Sequence, residues 1–312
     1  MRRIKKIIKW TAIVLLVLAG GLAVIVLSRQ NIKYDAPFPA IQASADSAVV
    51  ARGRHLVYGG AHCIDCHSRT NADSLIGLGQ EVPLSGGVVF KLPLGNIYSK
   101  NLTGDTATGI GKYTDAAIAR ALRYGVHPDG TVVYDFMPFH NASDEDLTAI
   151  ISYLRTQKPV RNAVPQHELN IMGKIVKALL VQPVGPSEEV PGKVKQDTTA
   201  AYGRYLALSI AECNGCHTKR NISGKFTGEP FAGGGEVDGF ITPNLTPDPG
   251  GRIFHWSKQM FIDRFRMGRL IPASPMPWNS YGRMTDDELT AIFNYLQTLK
   301  PVNTTSDVKR EK

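Results

Sequence analysis

All four cysteines of this chain lie in two copies of one pentapeptide, CIDCH at 63–67 and CNGCH at 213–217. In each copy, cysteines at positions i and i+3 are followed directly by a histidine, which is the spacing of covalent c-type haem attachment. The thiols can add to the two vinyl groups of a haem, and the histidine can face the iron as its proximal ligand. The sequence therefore predicts two covalently bound haem c groups. The predicted thioether residues are Cys63, Cys66, Cys213 and Cys216, and the predicted proximal ligands are His67 and His217.

Two other kinds of site use paired cysteines: a zinc ribbon, in which both pairs bind one metal, and a redox-active or disulfide-forming Cys-x-x-Cys motif. The pairs here lie about 150 residues apart, whereas zinc-ribbon pairs are separated by roughly 15 to 20 residues. Neither alternative requires a histidine directly after both second cysteines. The pattern favours haem attachment over both.

The N-terminus combines a basic cluster with a long apolar run. Five Arg and Lys residues precede Trp10–Leu27, an 18-residue segment whose one polar member is Thr11. At 1.5 Å per residue a helix of this length reaches about 27 Å, enough to span a membrane. Because basic residues concentrate on the cytoplasmic side, residues 1–33 are expected to be a single-pass anchor in a bacterial inner membrane. The haem groups would then face the periplasm.

A cleaved signal peptide is the alternative to this anchor, since Ala19-Gly20-Gly21 offers a small-residue cleavage site. Cleavage there would leave the apolar segment Leu22–Leu27 without a role, which favours the anchor. The anchor also accounts for the charge: residues 1–33 carry seven basic and no acidic side chains, so the net charge of +9 leaves +2 elsewhere. No nucleic-acid partner is therefore expected.

The chain repeats itself, and the repeat indicates two domains. The matching segments are Gly53-Arg54 with Gly203-Arg204, Asn101-Leu102-Thr103 with Asn244-Leu245-Thr246, Met137-Pro138 with Met276-Pro277, Asp144–Leu154 with Asp286–Leu296, and Lys158-Pro159-Val160 with Lys300-Pro301-Val302. The predicted organisation is an anchor over 1–33, a first haem domain over 45–160, a connector over 161–199, a second haem domain over 200–305 and a tail over 306–312.

Helix signals recur in both units. Ser143 with Asp146, and Thr285 with Glu288, stand three residues apart at the predicted starts of the last helices, where they can act as caps. Apolar residues then recur at i, i+3, i+4 and i+7, the pattern of a helix that buries one face. Middle helices are predicted over 114–124 and 257–267, each followed by a glycine.

Residues 45 to 305 resemble the multihaem cytochrome c subunits of bacterial membrane-bound alcohol, aldehyde and gluconate dehydrogenases. The stretches that carry the resemblance are GNIYSKNLT at 95–103, TGIG at 108–111 and FMPF at 136–139. The resemblance implies an all-α fold of two tandem cytochrome c-like domains behind the transmembrane helix. It also implies redox partners in a membrane complex: a dehydrogenase or quinol-oxidising donor, and an oxidase as acceptor. Those subunits usually carry three haems, whereas this chain has two motifs.

The sixth iron ligand distinguishes a carrier from an enzyme, because an iron with both axial positions filled cannot bind substrate. Met137 is the one methionine between His67 and the end of the first unit's last helix. Among the methionines of the second unit, Met276 is in register with it and is likewise followed by proline. Met137 and Met276 are the predicted axial ligands; the competing side chains are Met260, Met267, Met284, His62, His127, His140 and His255.

Two functional hypotheses follow. In the first, the chain is not an enzyme and has no catalytic residues; it passes single electrons between protein partners. In the second, it is a dihaem peroxidase-like enzyme in which one iron lacks a permanent sixth ligand. By family resemblance, Tyr98, Asn101, Arg54 and Arg204 are candidate partners of the haem propionates.

Overall fold

A computed structural model describes residues 2–137, 139–221 and 224–304 of the chain. Pro138 of the predicted Met-Pro pair, residue 305 and the predicted tail over 306–312 lie outside the described residues. The chain begins with a long helix, α1 (Arg2–Ser28), whose residues are all exposed apart from Val26. Within the described ranges, α1 is the one helix long and apolar enough to cross a membrane. The predicted apolar helix is present and touches the rest of the protein only near its C-terminal end.

The remaining elements form two similar series and a connector. The first unit contains α2 (Ser47–Tyr58), α3 (Cys63–His67), α4 (Ala72–Gly77), β1 (Val89–Leu92), β2 (Gly95–Tyr98), α5 (Asp115–Tyr124) and α6 (Asp144–Thr156). The connector contains β3 (Glu168–Leu169) and α7 (Ile171–Leu179). The second unit contains α8 (Ala200–Tyr205), a π-helical segment (Leu206–Ile210), α9 (Cys213–His217), β4 (Glu236–Val237), β5 (Phe240–Ile241), α10 (Lys258–Arg266), α11 (Trp278–Tyr281) and α12 (Asp286–Gln297).

The predicted caps form at both last helices. The Ser143 and Thr285 side chains accept hydrogen bonds from the backbone N–H groups of Asp146 and Glu288. Glu288 also reaches back to the Thr285 N–H, which completes the capping box. The middle helices α5 and α10 start after Thr114 and Ser257 as predicted, and the glycines that follow adopt left-handed backbone, with φ of 61° and 62°.

A glycine allows close helix packing in each unit. A Cβ atom placed on Gly53 of α2 would lie 1.8 Å from the Ala149 carbonyl oxygen of α6. A Cβ on Gly203 of α8 would lie at the same distance from the Ala291 carbonyl oxygen of α12. Any side chain at these positions would push the paired helices apart. The glycines of the repeated Gly-Arg pairs are therefore points of close helix contact.

The repeated Asn-Leu-Thr segments anchor loops in the same way in both units. The side-chain amide nitrogen of Asn101 donates to the Val160 carbonyl oxygen at 2.8 Å, and that of Asn244 donates to the Val302 carbonyl oxygen at 2.8 Å. In both cases the asparagine side-chain oxygen accepts the backbone N–H of the threonine two residues on. The Asn-Leu-Thr and Lys-Pro-Val repeats of each unit thus bind each other.

A buried charge network joins the two units. The Arg52 guanidinium of α2 donates to Asp146 Oδ1 of its own unit at 3.0 Å and to Glu288 Oε1 of the second unit at 2.9 Å. His55 Nε2 lies 2.7 Å from Glu288 Oε2, and the Tyr205 hydroxyl donates to Asp146 Oδ2 at 2.7 Å. The two carboxylate side chains are only 4% and 6% exposed. Because a buried carboxylate needs partners, this network holds the units in one relative arrangement.

The expectation of an all-α fold is only partly right, because five short strands occur among the described residues. β1 and β2 form an antiparallel hairpin, and β3 of the connector pairs with β2, while β4 and β5 form a second, two-stranded sheet. Strands of two to four residues are too short to show an alternating apolar pattern, which is why the sequence indicated loops here. The fold is nevertheless mainly helical.

Candidate haem sites

Both pentapeptides form a one-turn helix that follows a left-handed residue. His62 and Glu212, directly before the first cysteines, have φ of 36° and 47°, a region uncommon for residues with side chains. The His62 carbonyl accepts the Asp65 N–H at 3.1 Å, and the Glu212 carbonyl accepts the Gly215 N–H at 2.9 Å. The chain therefore turns sharply into α3 and α9. The sequence did not predict this shared backbone conformation, because the two residues before the pentapeptides differ in type.

The histidines of both pentapeptides are buried, with 6% and 8% exposure, and oriented by backbone carbonyls. His67 Nδ1 lies 2.7 Å from the Lys100 carbonyl oxygen, and His217 Nδ1 lies 3.1 Å from the Pro243 carbonyl oxygen. An Nδ1–H donating to a carbonyl leaves the Nε2 lone pair free for a metal. Burial lowers the pKa of both imidazoles, against a smaller raising effect of these carbonyls, which favours the neutral form that binds iron.

The two carbonyl acceptors occupy equivalent positions. Lys100 and Pro243 directly precede the Asn-Leu-Thr segments whose asparagines are bonded to the Lys-Pro-Val repeats. The bonded loops thus fix the carbonyls that orient the histidines. The repeated tripeptides were visible in the sequence, but their role as supports of the histidines was missed.

The cysteines do not have the environment of redox-active thiols. Burial raises the pKa of Cys63 and Cys213 to about 12 and that of Cys66 to about 11, whereas redox-active motifs depend on a lowered thiol pKa. Throughout residues 2–137, 139–221 and 224–304, no three His, Cys, Asp or Glu side chains are grouped as metal ligands. The surroundings therefore support neither the zinc nor the disulfide alternative.

The two predicted axial methionines have matching local geometry. Met137 and Met276 are partly buried and pack against the apolar core, as do Cys63 and Cys213. The Met137 carbonyl accepts the N–H of the residue two positions on at 3.1 Å, and the Met276 carbonyl does the same at 2.8 Å. Both methionines therefore lie in the same kind of tight turn, in register with each other.

The competing methionines have other environments. Met260 and Met267 are 50% and 61% exposed, as expected for surface side chains. Met284 is buried, and its methyl group lies 3.6 Å from the position that a Cβ on Gly60 would take. It is thus a packing residue between the units. Among the second unit's methionines, Met276 is the candidate that remains.

The competing histidines are also mostly engaged. His140 Nδ1 lies 3.1 Å from the Arg123 carbonyl oxygen and its Nε2 lies 3.2 Å from Asp135, so both ring nitrogens are used. The His62 ring packs edge-on against Tyr281 of the second unit, with centroids 5.3 Å apart, and His255 is exposed. His62 is therefore engaged by the second unit, and the surroundings of His140 and His255 do not favour a bis-histidine site.

His127 belongs instead to a polar cluster beside the first histidine's support. The cluster consists of Lys100, His127, Tyr134 and His167. Burial, followed by the Lys100 charge, lowers the pKa of both His127 and His167 to about 4. The Tyr134 ring lies 5.3 Å from that of His167, and its hydroxyl is buried with no hydrogen-bond partner among the described residues. The Asp129 carboxylate is close enough to act on both Lys100 and His127. The buried Tyr134 hydroxyl beside the Lys100 cation fits a further carboxylate, such as a haem propionate.

The four propionate partners suggested by family resemblance have other contacts. The Arg54 and Arg204 guanidinium groups each bond a surface carboxylate. Asn101 donates to the Val160 carbonyl and supports its loop. Tyr98 is hydrogen-bonded through its side chain to a glutamate of the connector. The cluster around Tyr134 is a better candidate for a propionate, and it draws on the connector as well as on the first unit.

Sequence comparison places these features in a known family. The cytochrome c family profile matches residues 50–158. A dihaem cytochrome c-type protein of Cereibacter sphaeroides is 30% identical over 245 residues, which cover 76% of this chain and 79% of that protein. The first unit and most of the chain thus have cytochrome c relatives.

Larger relatives are named as cytochrome subunits of dehydrogenases. The fructose dehydrogenase cytochrome subunit of Gluconobacter japonicus is 29% identical over 289 residues, covering 88% of this chain and 57% of that subunit. The cytochrome c subunit of a quinone-dependent alcohol dehydrogenase from Gluconacetobacter polyoxogenes is 30% identical over 283 residues, covering 83% and 57%. The chain thus spans little more than half the length of these subunits, which transfer electrons and are not the catalytic subunits. The profile match and the dihaem relative show that this chain belongs to the cytochrome c family, whose cofactor is covalently bound haem c.

Proposed function

We propose that this protein is a membrane-anchored dihaem cytochrome c that transfers single electrons. The observation that carries the proposal is the repetition of a complete site: a pentapeptide, a histidine oriented by a carbonyl, and an in-register methionine occur in both units. One haem would be held by Cys63 and Cys66, the other by Cys213 and Cys216. The proposed haem domains span 45–160 and 200–305.

The bound haem supplies an iron that changes its charge by one electron. The protein's role is to occupy the remaining coordination positions of that iron and to adjust its reduction potential. His67 and His217 would bind the iron through a neutral Nε2, and Met137 and Met276 would supply thioether sulfurs as its second protein ligands. A neutral thioether favours the ferrous state and raises the reduction potential relative to a second histidine. With a histidine and a methionine bound to each iron, neither site would have a free position for a substrate.

A contact between the two attachment segments supports electron exchange within the chain. The Tyr281 hydroxyl donates to the Ala211 carbonyl oxygen at 2.6 Å, two residues before Cys213. The same ring meets the ring of His62, which precedes Cys63, edge-on with centroids 5.3 Å apart. A single buried side chain therefore bridges the two attachment segments. This proximity favours a relay in which both haems serve one path.

The exposed, apolar α1 supports anchoring in the inner membrane, with both haem domains in the periplasm. By analogy with the dehydrogenase subunits it matches, the chain would take electrons from a dehydrogenase or a quinol-oxidising complex and pass them towards a terminal oxidase. An anchor confines the carrier to the surface where such complexes lie.

Haem stoichiometry and carbon monoxide binding test this function. The mature protein should contain two haems per chain in a pyridine haemochrome assay, both resistant to acid-acetone extraction, and the double variant Cys213→Ala, Cys216→Ala should retain one. The reduced protein should bind carbon monoxide poorly and show little peroxidase turnover. One haem per chain would refute the dihaem assignment. Rapid carbon monoxide binding at one haem, with peroxide consumption, would replace the carrier by the peroxidase-like enzyme.

Membrane attachment is tested separately. The native protein should stay in the membrane fraction after alkaline carbonate washing, with both haem domains accessible to protease from the periplasmic side. A mature N-terminus at Leu22 would show instead that α1 is a cleaved signal.

A further inference from the structure

The connector helix α7 lies against the C-terminal end of α1. Arg29 Nε donates to the Ala178 carbonyl oxygen at 2.7 Å, and the Gln30 side chain donates to the Lys174 carbonyl oxygen at 2.9 Å. The apolar run of α1 ends only two residues earlier, at Leu27. If α1 spans a membrane, α7 is therefore held at the level where the hydrocarbon ends.

The side of α7 that faces away from the protein is apolar. Gly173 and Ala178 face inward and are buried. Large apolar side chains project outward, and their exposed fractions are 80% for Ile171, 57% for Met172, 44% for Leu179 and 62% for Leu180. Ile175 and Val176 are half-buried, so α7 packs through one side and leaves the large apolar side chains at its two ends exposed.

The tip of the β1–β2 hairpin extends this surface. A Cβ atom on Gly173 would lie 2.1 Å from the Leu94 carbonyl oxygen, so α7 is in direct backbone contact with the tip. The Asn170 side chain caps α7 and also donates to the Pro93 carbonyl oxygen at 2.8 Å. Leu92 of the tip is exposed. Helix and hairpin tip therefore form one rigid apolar surface beside the end of α1.

We propose that this surface, formed by residues 92–93, 171–172 and 179–180, inserts into the headgroup region of the phospholipid bilayer that α1 crosses. The inference rests on the proposed anchoring by α1. A lipid surface is the occupant because the patch is continuous with a helix end that the anchor places at the bilayer boundary. Interfacial helices bury an apolar face in this region. The exposed Lys91 and Lys174 can extend towards lipid phosphates.

This second attachment would determine orientation. A single transmembrane helix leaves the domain that follows it free to tilt, whereas α1 and α7 together hold the first unit at two points. Because β3 pairs with β2 and the connector supplies His167 to the cluster around Tyr134, the same surface would hold the first haem site in one orientation towards the membrane.

Oxidative footprinting of the full-length holoprotein in phospholipid nanodiscs tests the proposal. Met172 and Met267 have nearly equal exposed fractions in the protein, 57% and 61%, so Met267 is an internal control. Met172 should be oxidised at least several-fold more slowly than Met267 in nanodiscs containing phosphatidylethanolamine and phosphatidylglycerol. The two rates should become similar after the protein is transferred to a lipid-free amphipol. Equal rates in nanodiscs would overturn the proposal, as would protection that persists in amphipol.

A variant makes the test specific. Replacing Ile171 and Leu180 with Asp places charges on the exposed apolar side, where no core packing is lost. The variant should still co-elute with nanodiscs through α1, while Met172 oxidation rises to the rate of Met267. Leu270→Asp, at a site that is also 59% exposed, should leave the Met172 rate unchanged. Loss of co-elution by the native protein would contradict anchoring itself, and persistent protection in the variant would contradict the role of α7.

Discussion

The buried carboxylate of Glu288 is expected to make a large, pH-dependent contribution to stability. Burial raises its pKa, but the hydrogen bond and charge of His55, the Thr285 N–H and the Arg52 charge lower it more, to about 2 from an ordinary value of 4.5. Since one pKa unit corresponds to 1.36 kcal/mol, ionised Glu288 stabilises the fold by about 3 kcal/mol at pH 7. Because the folded-state pKa is depressed, this stabilisation is complete above pH 4.5 and is lost as the pH falls towards 2.

Glu288→Gln keeps the shape of the side chain and removes its charge. We expect the free energy of unfolding to fall by about 3 kcal/mol at pH 7 but by only about 1 kcal/mol at pH 3, where the native carboxylate has lost most of its advantage. Urea denaturation in a non-ionic detergent, followed by far-ultraviolet circular dichroism, measures both values without screening the charges.

The matched control is Glu188→Gln, which removes the partner of Arg204 from a pair whose side chains are 40% and 49% exposed. An exposed pair of this kind contributes about 0 to 1 kcal/mol. The reasoning would be refuted if Glu288→Gln lowered stability equally at both pH values, or if Glu188→Gln were as costly.

Three further predictions address the helix contact, the sixth ligand and the polar cluster. Gly53→Ala should lower the free energy of unfolding by about 2 to 3 kcal/mol, because the new Cβ would lie 1.8 Å from a carbonyl oxygen. Gly192→Ala, where a Cβ would have nothing within 4 Å, should change the free energy of unfolding little. Equal effects of the two variants in urea titrations would contradict the packing argument. Met137→Ala should retain both covalent haems but bind carbon monoxide rapidly at one of them after reduction, and the exposed Met267→Ala should behave as the native protein does. Lys100→Met removes a cation beside the proposed propionate site and should lower one haem's reduction potential by roughly 40 mV, the equivalent of about 1 kcal/mol for one electron. If a spectroelectrochemical titration found both reduction potentials unchanged, Lys100 would not lie beside a haem propionate.

The sequence by itself determined the features that depend on residues close together in the chain. Haem attachment is predicted from the spacing within each pentapeptide alone, because the chemistry is covalent and local. The apolar run of α1 and the cap at Thr285 are likewise read within one helix, and both helix and cap are present in the structure. The internal repeat added the register between Met137 and Met276, whose turns match, although ligation of iron by these methionines remains a prediction.

Only the tertiary structure decided how distant segments meet. The carbonyl that orients His67 comes from Lys100, and the charge that holds Arg52 comes from Glu288, 236 residues away. No local period or motif encodes such contacts, since they arise when helices pack and loops are fixed by bonds to other segments. For the same reason, composition could not show that α7 keeps its apolar side outside the core. That outcome depends on the Gly173 contact with the hairpin and on where α1 ends, and both are settled only when the chain has folded.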